Sequence, residues 1–181
     1  MRILQKYLDL LAQASMKDRP LGLKIIAIIL GGAIFLIIIP FLLFLAGYVL
    51  ERFVPAGEWR LLQIAFSFAA ICFGLFIVAW SILTLARIGG GTPVPLVPTQ
   101  KLIVSGPYKL CRNPLQLGVM VYYLGVGTLF GSVKIGVVML LLSFIFGTCY
   151  HKFVEENELL LRFGRDYEEY KSKMPFLLPK M

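Results

Sequence analysis

Four stretches of this chain contain no Asp, Glu, Lys or Arg. They lie between Lys24 and Glu51, between Arg60 and Arg87, between Arg112 and Lys134, and between Lys134 and Lys152. At roughly 17–26 residues, each is long enough to cross the hydrocarbon core of a bilayer as a helix. In lipid, backbone polar groups must be satisfied within the segment, which favours helices for such stretches. Only 15% of residues are charged, against about 25% in soluble domains, and the mean hydropathy is +0.82. The pattern predicts an all-α integral membrane protein with a single domain over residues 1–181. It has four transmembrane helices, an N-terminal interfacial helix and a C-terminal cytoplasmic helix.

The net charge of +8 is a topology signal, with no nucleic-acid partner expected. The basic residues gather in the N-terminal arm, the loop after Arg87 and the C-terminal tail. The opposite connections offer only Arg52, Arg60 and Lys134. The positive-inside rule then places both termini and the Arg87–Arg112 loop in the cytoplasm, in a multi-pass protein of the cell (inner) membrane. Cys72, Cys111 and Cys149 are scattered and show neither metal spacing nor a disulfide framework. No metal site is expected.

Residues 1–20 read as the interfacial helix, with Ile3, Leu4, Tyr7, Leu8 and Leu11 on one face. Residues 21–87 hold the first two spans. Pro40 is expected to kink the first, and Ser67, Gly74 and Ser81 form a small-residue stripe on the second. The segment from Ile88 to Ser105, with three glycines and three prolines, is too long and too specific for a hairpin. Asn113-Pro114 is a helix-start signal, and the N–H groups of such a start attract anions. Residues 114–153 form a hairpin of two spans turned at Gly131-Ser132. Gly118, Gly125 and Gly127 face close packing on one, and Gly136, Ser143 and Gly147 on the other.

A cytoplasmic helical tail over residues 154–181 follows. If the helix continues through it, Glu156 falls at the centre of a stripe of Leu159, Leu160, Phe163 and Tyr167, and Glu155 at its edge. A carboxylate in that position needs a ligand or a structural partner, such as Lys152 four residues earlier.

Two motifs carry a resemblance. Gly106-Pro107-Tyr108, then Arg112-Asn113-Pro114 and Gly118, is similar to the signature of the isoprenylcysteine carboxyl methyltransferase and phosphatidylethanolamine methyltransferase superfamily. Glu155-Glu156, Leu159, Phe163-Gly164, Tyr167, Tyr170 and Pro175 resemble the C-terminal signature of the same superfamily. Asn113 stands where many members have His, and Gln116 where Tyr is usual.

The resemblance covers roughly residues 88–180. It implies an enzyme that uses S-adenosylmethionine, with S-adenosylhomocysteine as product, held at the cytoplasmic end of the third and fourth spans. Residues 88–113 would cap the cofactor. Tyr108, Arg112, Asn113, Pro114, Gln116, Glu155 and Glu156 would bind it. Arg112, Asn113 and His151 would stand at the chemistry, His151 as base if the acceptor is an amine. The acceptor would be a lipophilic, membrane-embedded carboxylate, thiol or lipid amine. Two rival readings are a membrane reductase of the sterol type, which uses NADPH, and a four-helix scaffold without catalysis. The sequence does not specify the oligomeric state.

Overall fold

A computed structural model describes Lys6 and residues 19–51, 60–93 and 97–179. The expected interfacial helix over residues 2–17 and the link over residues 52–59 lie outside the described residues. Seven α-helices occur among the described residues, with no strand: α1 Leu21–Ala33, α2 Ile39–Glu51, α3 Arg60–Gly89, α4 Pro114–Phe130, α5 Val133–Tyr150, α6 Glu156–Phe163 and α7 Arg165–Lys173. π-helical turns join α1 to α2 at Ile34–Ile38 and α5 to α6 at His151–Glu155.

Among the described residues, three helical runs are long and apolar enough to cross a membrane: Leu21–Val49, Leu61–Gly89 and Val133–Phe163. The expected third span, α4, starts at Pro114 and is a shorter apolar helix. Many of the apolar residues on these runs are exposed, including Leu61, Phe73, Phe76 and Phe146. That is the pattern of a membrane protein, whose helices turn apolar side chains to lipid.

The chain forms two compact units. One gathers residues up to Gly31, Trp80–Pro114 and the chain from Thr148 onward. The other holds Gly32–Ala79 and Leu115–Gly147.

The second unit is built on close backbone approach. A Cβ on Gly74 would come within 2.5 Å of the Tyr122 nitrogen and 2.8 Å of the Gly118 carbonyl. One on Gly127 would lie 2.7 Å from the Gly136 Cα. Helices meeting at such points gain dispersion contacts that larger side chains would prevent. Ser67 is fully buried and returns its hydroxyl to the Gln63 carbonyl at 2.7 Å. The small-residue stripes therefore act in packing.

At Pro40 the perturbation takes the form of the π-helical turn. Proline has no N–H for the Leu36 carbonyl four residues earlier. Ile39 donates to Ile34, so the Phe35 carbonyl also lacks its usual donor. Two tyrosines on α4 supply the missing protons. Tyr122 Oη donates to the Leu36 carbonyl at 2.9 Å, and Tyr123 Oη to the Phe35 carbonyl at 2.7 Å. Without water at this depth, a freed carbonyl needs such a partner.

In the first unit the glycine- and proline-rich loop closes on itself, although its sequence reads as too long for a hairpin. Gly90 turns the chain with φ 65°. Thr92 N–H donates to Val97 and Gln100 N–H to Gly89, both at 2.7 Å.

Two expectations for the tail are corrected. The helix does not run through to Tyr167, because Gly164 breaks it with φ 49° and ψ −123°, a conformation in the positive-φ region that favours glycine. Nor do the leucines form a buried stripe. Of the expected stripe, Leu160 is 41% exposed, Leu159 and Phe163 are half-buried and only Tyr167, beyond the break, is buried, whereas Glu156 and Glu158 are each only 8% exposed. In a membrane protein the apolar side of such a helix can face lipid while its acids turn inward to cations.

The tyrosine repair can be measured. Tyr122→Phe should lower stability by about 0.5–1.5 kcal/mol, read as a lower thermal midpoint in detergent. In a Pro40→Ala background the Leu36 carbonyl regains a backbone donor, and the same substitution should cost little. Equal losses in both backgrounds would contradict this account.

Candidate functional site

Three segments of the first unit converge on one ion pair. The first is the turn Gly106–Lys109 and the three residues after it, which lead into α4. Pro107 and Cys111 are buried here, fixing the turn against the core. The second is the run from His151 through α6. The third is α7 with the residues after it.

Arg112 Nη1 donates to Glu156 Oε1 at 2.7 Å, and each side chain is only 9% exposed. Lys152 reaches the same oxygen at 3.1 Å, one helical turn before Glu156. Lys171, on α7, donates to Glu156 Oε2 at 2.6 Å. The structural partner expected at Lys152 is therefore present, together with two further cations. Three cations around one carboxylate leave an excess of positive charge. The Nε of Arg112 is buried and has no hydrogen-bond partner among the described residues.

The backbone secures the arginine. Its N–H donates to the Pro175 carbonyl at 2.9 Å, and the Asn113 side-chain amide donates to the Phe176 carbonyl at 2.9 Å. The Phe176 ring lies 5.6 Å from the Arg112 guanidinium and 4.6 Å from Lys152 Nζ, within cation–π range. Its centroid is 6.3 Å from that of His151. His151 Nδ1 in turn pairs with the Glu155 carboxylate. The two glutamates thus occupy different environments: Glu156 among three cations, Glu155 beside the histidine and 36% exposed.

Tyrosines line the same region. Tyr170 Oη donates to the Tyr108 carbonyl at 2.8 Å, tying α7 to the Gly106–Lys109 turn. Burial, and after it the Glu155 carboxylate, holds the Tyr108 phenol protonated well above its ordinary range. Burial and then Glu156 push Tyr167 up to about 12, while its hydrogen bond with Arg112 pulls the other way. Burial thus favours the protonated form of both phenols. Burial likewise raises the Cys111 thiol, which makes it a packing residue with little thiolate character.

Tyr108, Arg112, Asn113, Pro114, His151, Glu155 and Glu156 all fall in the first unit. Gln116 falls in the second, where its amide donates to the Ser143 carbonyl at 2.8 Å beside Gly147.

Sequence reasoning missed Lys171 and Phe176, which reach the cluster only after the break at Gly164. It also missed a second buried pair: Arg162 Nη1 donates to Glu158 Oε1 at 2.6 Å, and Arg162 Nη2 to the Thr99 carbonyl of the glycine- and proline-rich loop. The i,i+4 spacing of Glu158 and Arg162 is visible in the sequence. Their burial, and the loop carbonyl that accepts from Arg162, are not.

The fold and this cluster define a helical membrane protein with a part-buried charged site beside its apolar helices. Residues 62–166 match the model of the phospholipid methyltransferase family. That is more than half of the chain, and the protein belongs to this family. Membership implies a membrane methyltransferase. Neither the curated proteins nor the solved structures contain a match.

The two glutamates should separate in a stability measurement. Glu156→Ala leaves the Arg112 guanidinium buried without its carboxylate and should cost about 3–5 kcal/mol. Glu155→Ala removes a partly exposed pair and should stay within about 1 kcal/mol. Thermal melts of both variants in one detergent test the difference; similar midpoints would contradict it.

Proposed function

We propose that the protein is an S-adenosylmethionine-dependent methyltransferase acting on a lipophilic acceptor held in the bilayer, at the cytoplasmic face. The observation that carries this reading is the Arg112–Glu156 pair, with its unused buried donor, inside the residues that match the family. Orientation comes from the placement of basic residues. With α4 counted as a span, making four, both termini lie in the cytoplasm. The acceptor presents a carboxylate, a thiol or a lipid amine, and the isoprenylcysteine carboxyl methyltransferase-like subtype would use the first of these.

The donor set fits the cofactor. The free Nε of Arg112 suits a carboxylate, and guanidinium–carboxylate bonds are charge-assisted. Glu156, with Glu155 beside it, accepts from hydroxyls or an ammonium. The start of α4 at Asn113-Pro114 would add its polarity, with backbone N–H groups from Asn113 and from the residues after Pro114. Tyr108 and the loop over residues 88–113 would cover the bound molecule and exclude water.

When bound, S-adenosylmethionine supplies a methyl group on a sulfonium, so the chain itself has mainly to position and shield. A carboxylate or thiolate acceptor needs no base. For an amine, the pairing of Glu155 with His151 Nδ1 leaves Nε2 as the atom to take the proton.

Purified protein incubated with methyl-labelled S-adenosylmethionine and a total lipid extract should move label into an organic-soluble product. Arg112→Ala should weaken cofactor binding about ten- to a hundredfold. His151→Gln should suppress methylation of an amine and spare that of a carboxylate. Failure of S-adenosylhomocysteine to bind or stabilise the wild-type protein would remove the reading.

A further inference from the structure

Glu156 has more cationic partners than its burial requires. A carboxylate offers about four lone-pair positions. Arg112 and Lys152 share Oε1, and Lys171 takes Oε2 at 2.6 Å. A ligand diol donating two hydrogen bonds to this carboxylate would find one position open, so one of the three cations must yield.

The three differ in how readily they can. Arg112 is 9% exposed, and its backbone N–H is tied to Pro175. Lys152, 42% exposed and so no different from Lys171 in that respect, is held by the Phe176 ring 4.6 Å from its Nζ and sits on the same helical run as Glu156. Lys171 is 44% exposed and comes from α7, beyond the break at Gly164. Its helix is held independently, through Tyr170 Oη on the Tyr108 carbonyl and through the buried Tyr167. Lys171 can therefore leave by rotation of its own four-carbon side chain, with α7 in place. It also lies beyond the family-matched residues 62–166.

We propose that Lys171 is an internal competitor at the Glu156 carboxylate: its ammonium holds Oε2, and it must swing out for the cofactor's hydroxyls to bind. The proposal rests on the cofactor reading above and adds a residue that sets the affinity of that site. It opposes the simpler view that Lys171 is a binding cation, and the two predict effects of opposite sign.

The test is calorimetric titration of S-adenosylhomocysteine into the full-length protein in detergent, for wild type, Lys171→Gln and Lys173→Gln. Lys173 is the control: it pairs with Glu169, and both side chains are more than half exposed. A competitor of this exposure should be worth a few-fold, so Lys171→Gln should bind about three- to tenfold more tightly. Lys173→Gln should match wild type. Lys171 should also become more reactive toward an amine-acylating reagent when S-adenosylhomocysteine is added, with Lys173 unchanged. Binding by Lys171→Gln that equals wild type or is weaker overturns the competitor role and leaves the cofactor reading intact. Absence of binding to every variant and to wild type overturns the cofactor reading and this proposal with it.

Discussion

The first unit depends on one buried ion pair. Taking Arg112 and Glu156 out of water costs several kcal/mol per ion, and their mutual attraction only offsets this when the geometry is good and the remaining donors and acceptors are used. The chain meets that condition from three directions. The residues after the Gly106–Lys109 turn present the guanidinium. The run from His151 presents the carboxylate with Lys152 beside it. The tail adds Lys171, the Pro175 carbonyl and the Phe176 ring. Arg112 Nε stays unused, as does Arg162 Nε in the second buried pair, and a buried donor left unmatched costs stability.

Both π-helical turns among the described residues sit where a helix must do something other than continue. At Ile34–Ile38 the turn precedes Pro40, and two tyrosine hydroxyls repair the carbonyls left without donors. At His151–Glu155 the turn precedes Glu156, whose N–H reaches back to the His151 carbonyl. Such turns insert a residue into the helix, yet the i,i+4 pairs of an ordinary helix are kept here: His151 pairs with Glu155 and Lys152 with Glu156. Two adjacent carboxylates are thereby committed to a ring nitrogen and to an ammonium. The first arrangement suits proton transfer and the second suits holding a polar ligand.

Much of the helical layout is legible in the sequence because lipid imposes blunt rules. Absence of charge over a bilayer's width marks the long runs, and Asn113-Pro114 marks the start of α4 at Pro114. Gly74, Gly118, Gly127 and Gly136 lie at close backbone contacts, as small residues at helical intervals suggest. Glu156 is buried although the stripe of Leu159, Leu160, Phe163 and Tyr167 around it is not: Leu160 is exposed, and only Tyr167, beyond the Gly164 break, is buried. Hydrophobicity alone does not say which face is inside when the surroundings are lipid. Contacts that cross the Gly164 break were out of reach too: helical phase carries no information past a positive-φ residue, so Lys171 and Phe176 could not be placed.

The length of the helical run from Val133 to Phe163 bears on where chemistry can occur. A continuous helix from Val133 to Glu156 would rise roughly 35 Å at 1.5 Å per residue, just beyond a hydrocarbon core of about 30 Å. Val133 follows the turn at Gly131-Ser132, and Lys134 sits within the first helical turn; in the proposed orientation that end would lie at the opposite surface. In that orientation the cluster at Glu156 would fall in the interfacial zone, where charges cost less than they do deeper in the lipid. The same depth selects among ligands. A polar cofactor can enter from water, and an acceptor can present its reacting group at the interface while its hydrocarbon remains in the bilayer. Deeper placement would raise the cost of the charges steeply. Shallower placement would require the acceptor to leave the lipid before it could react.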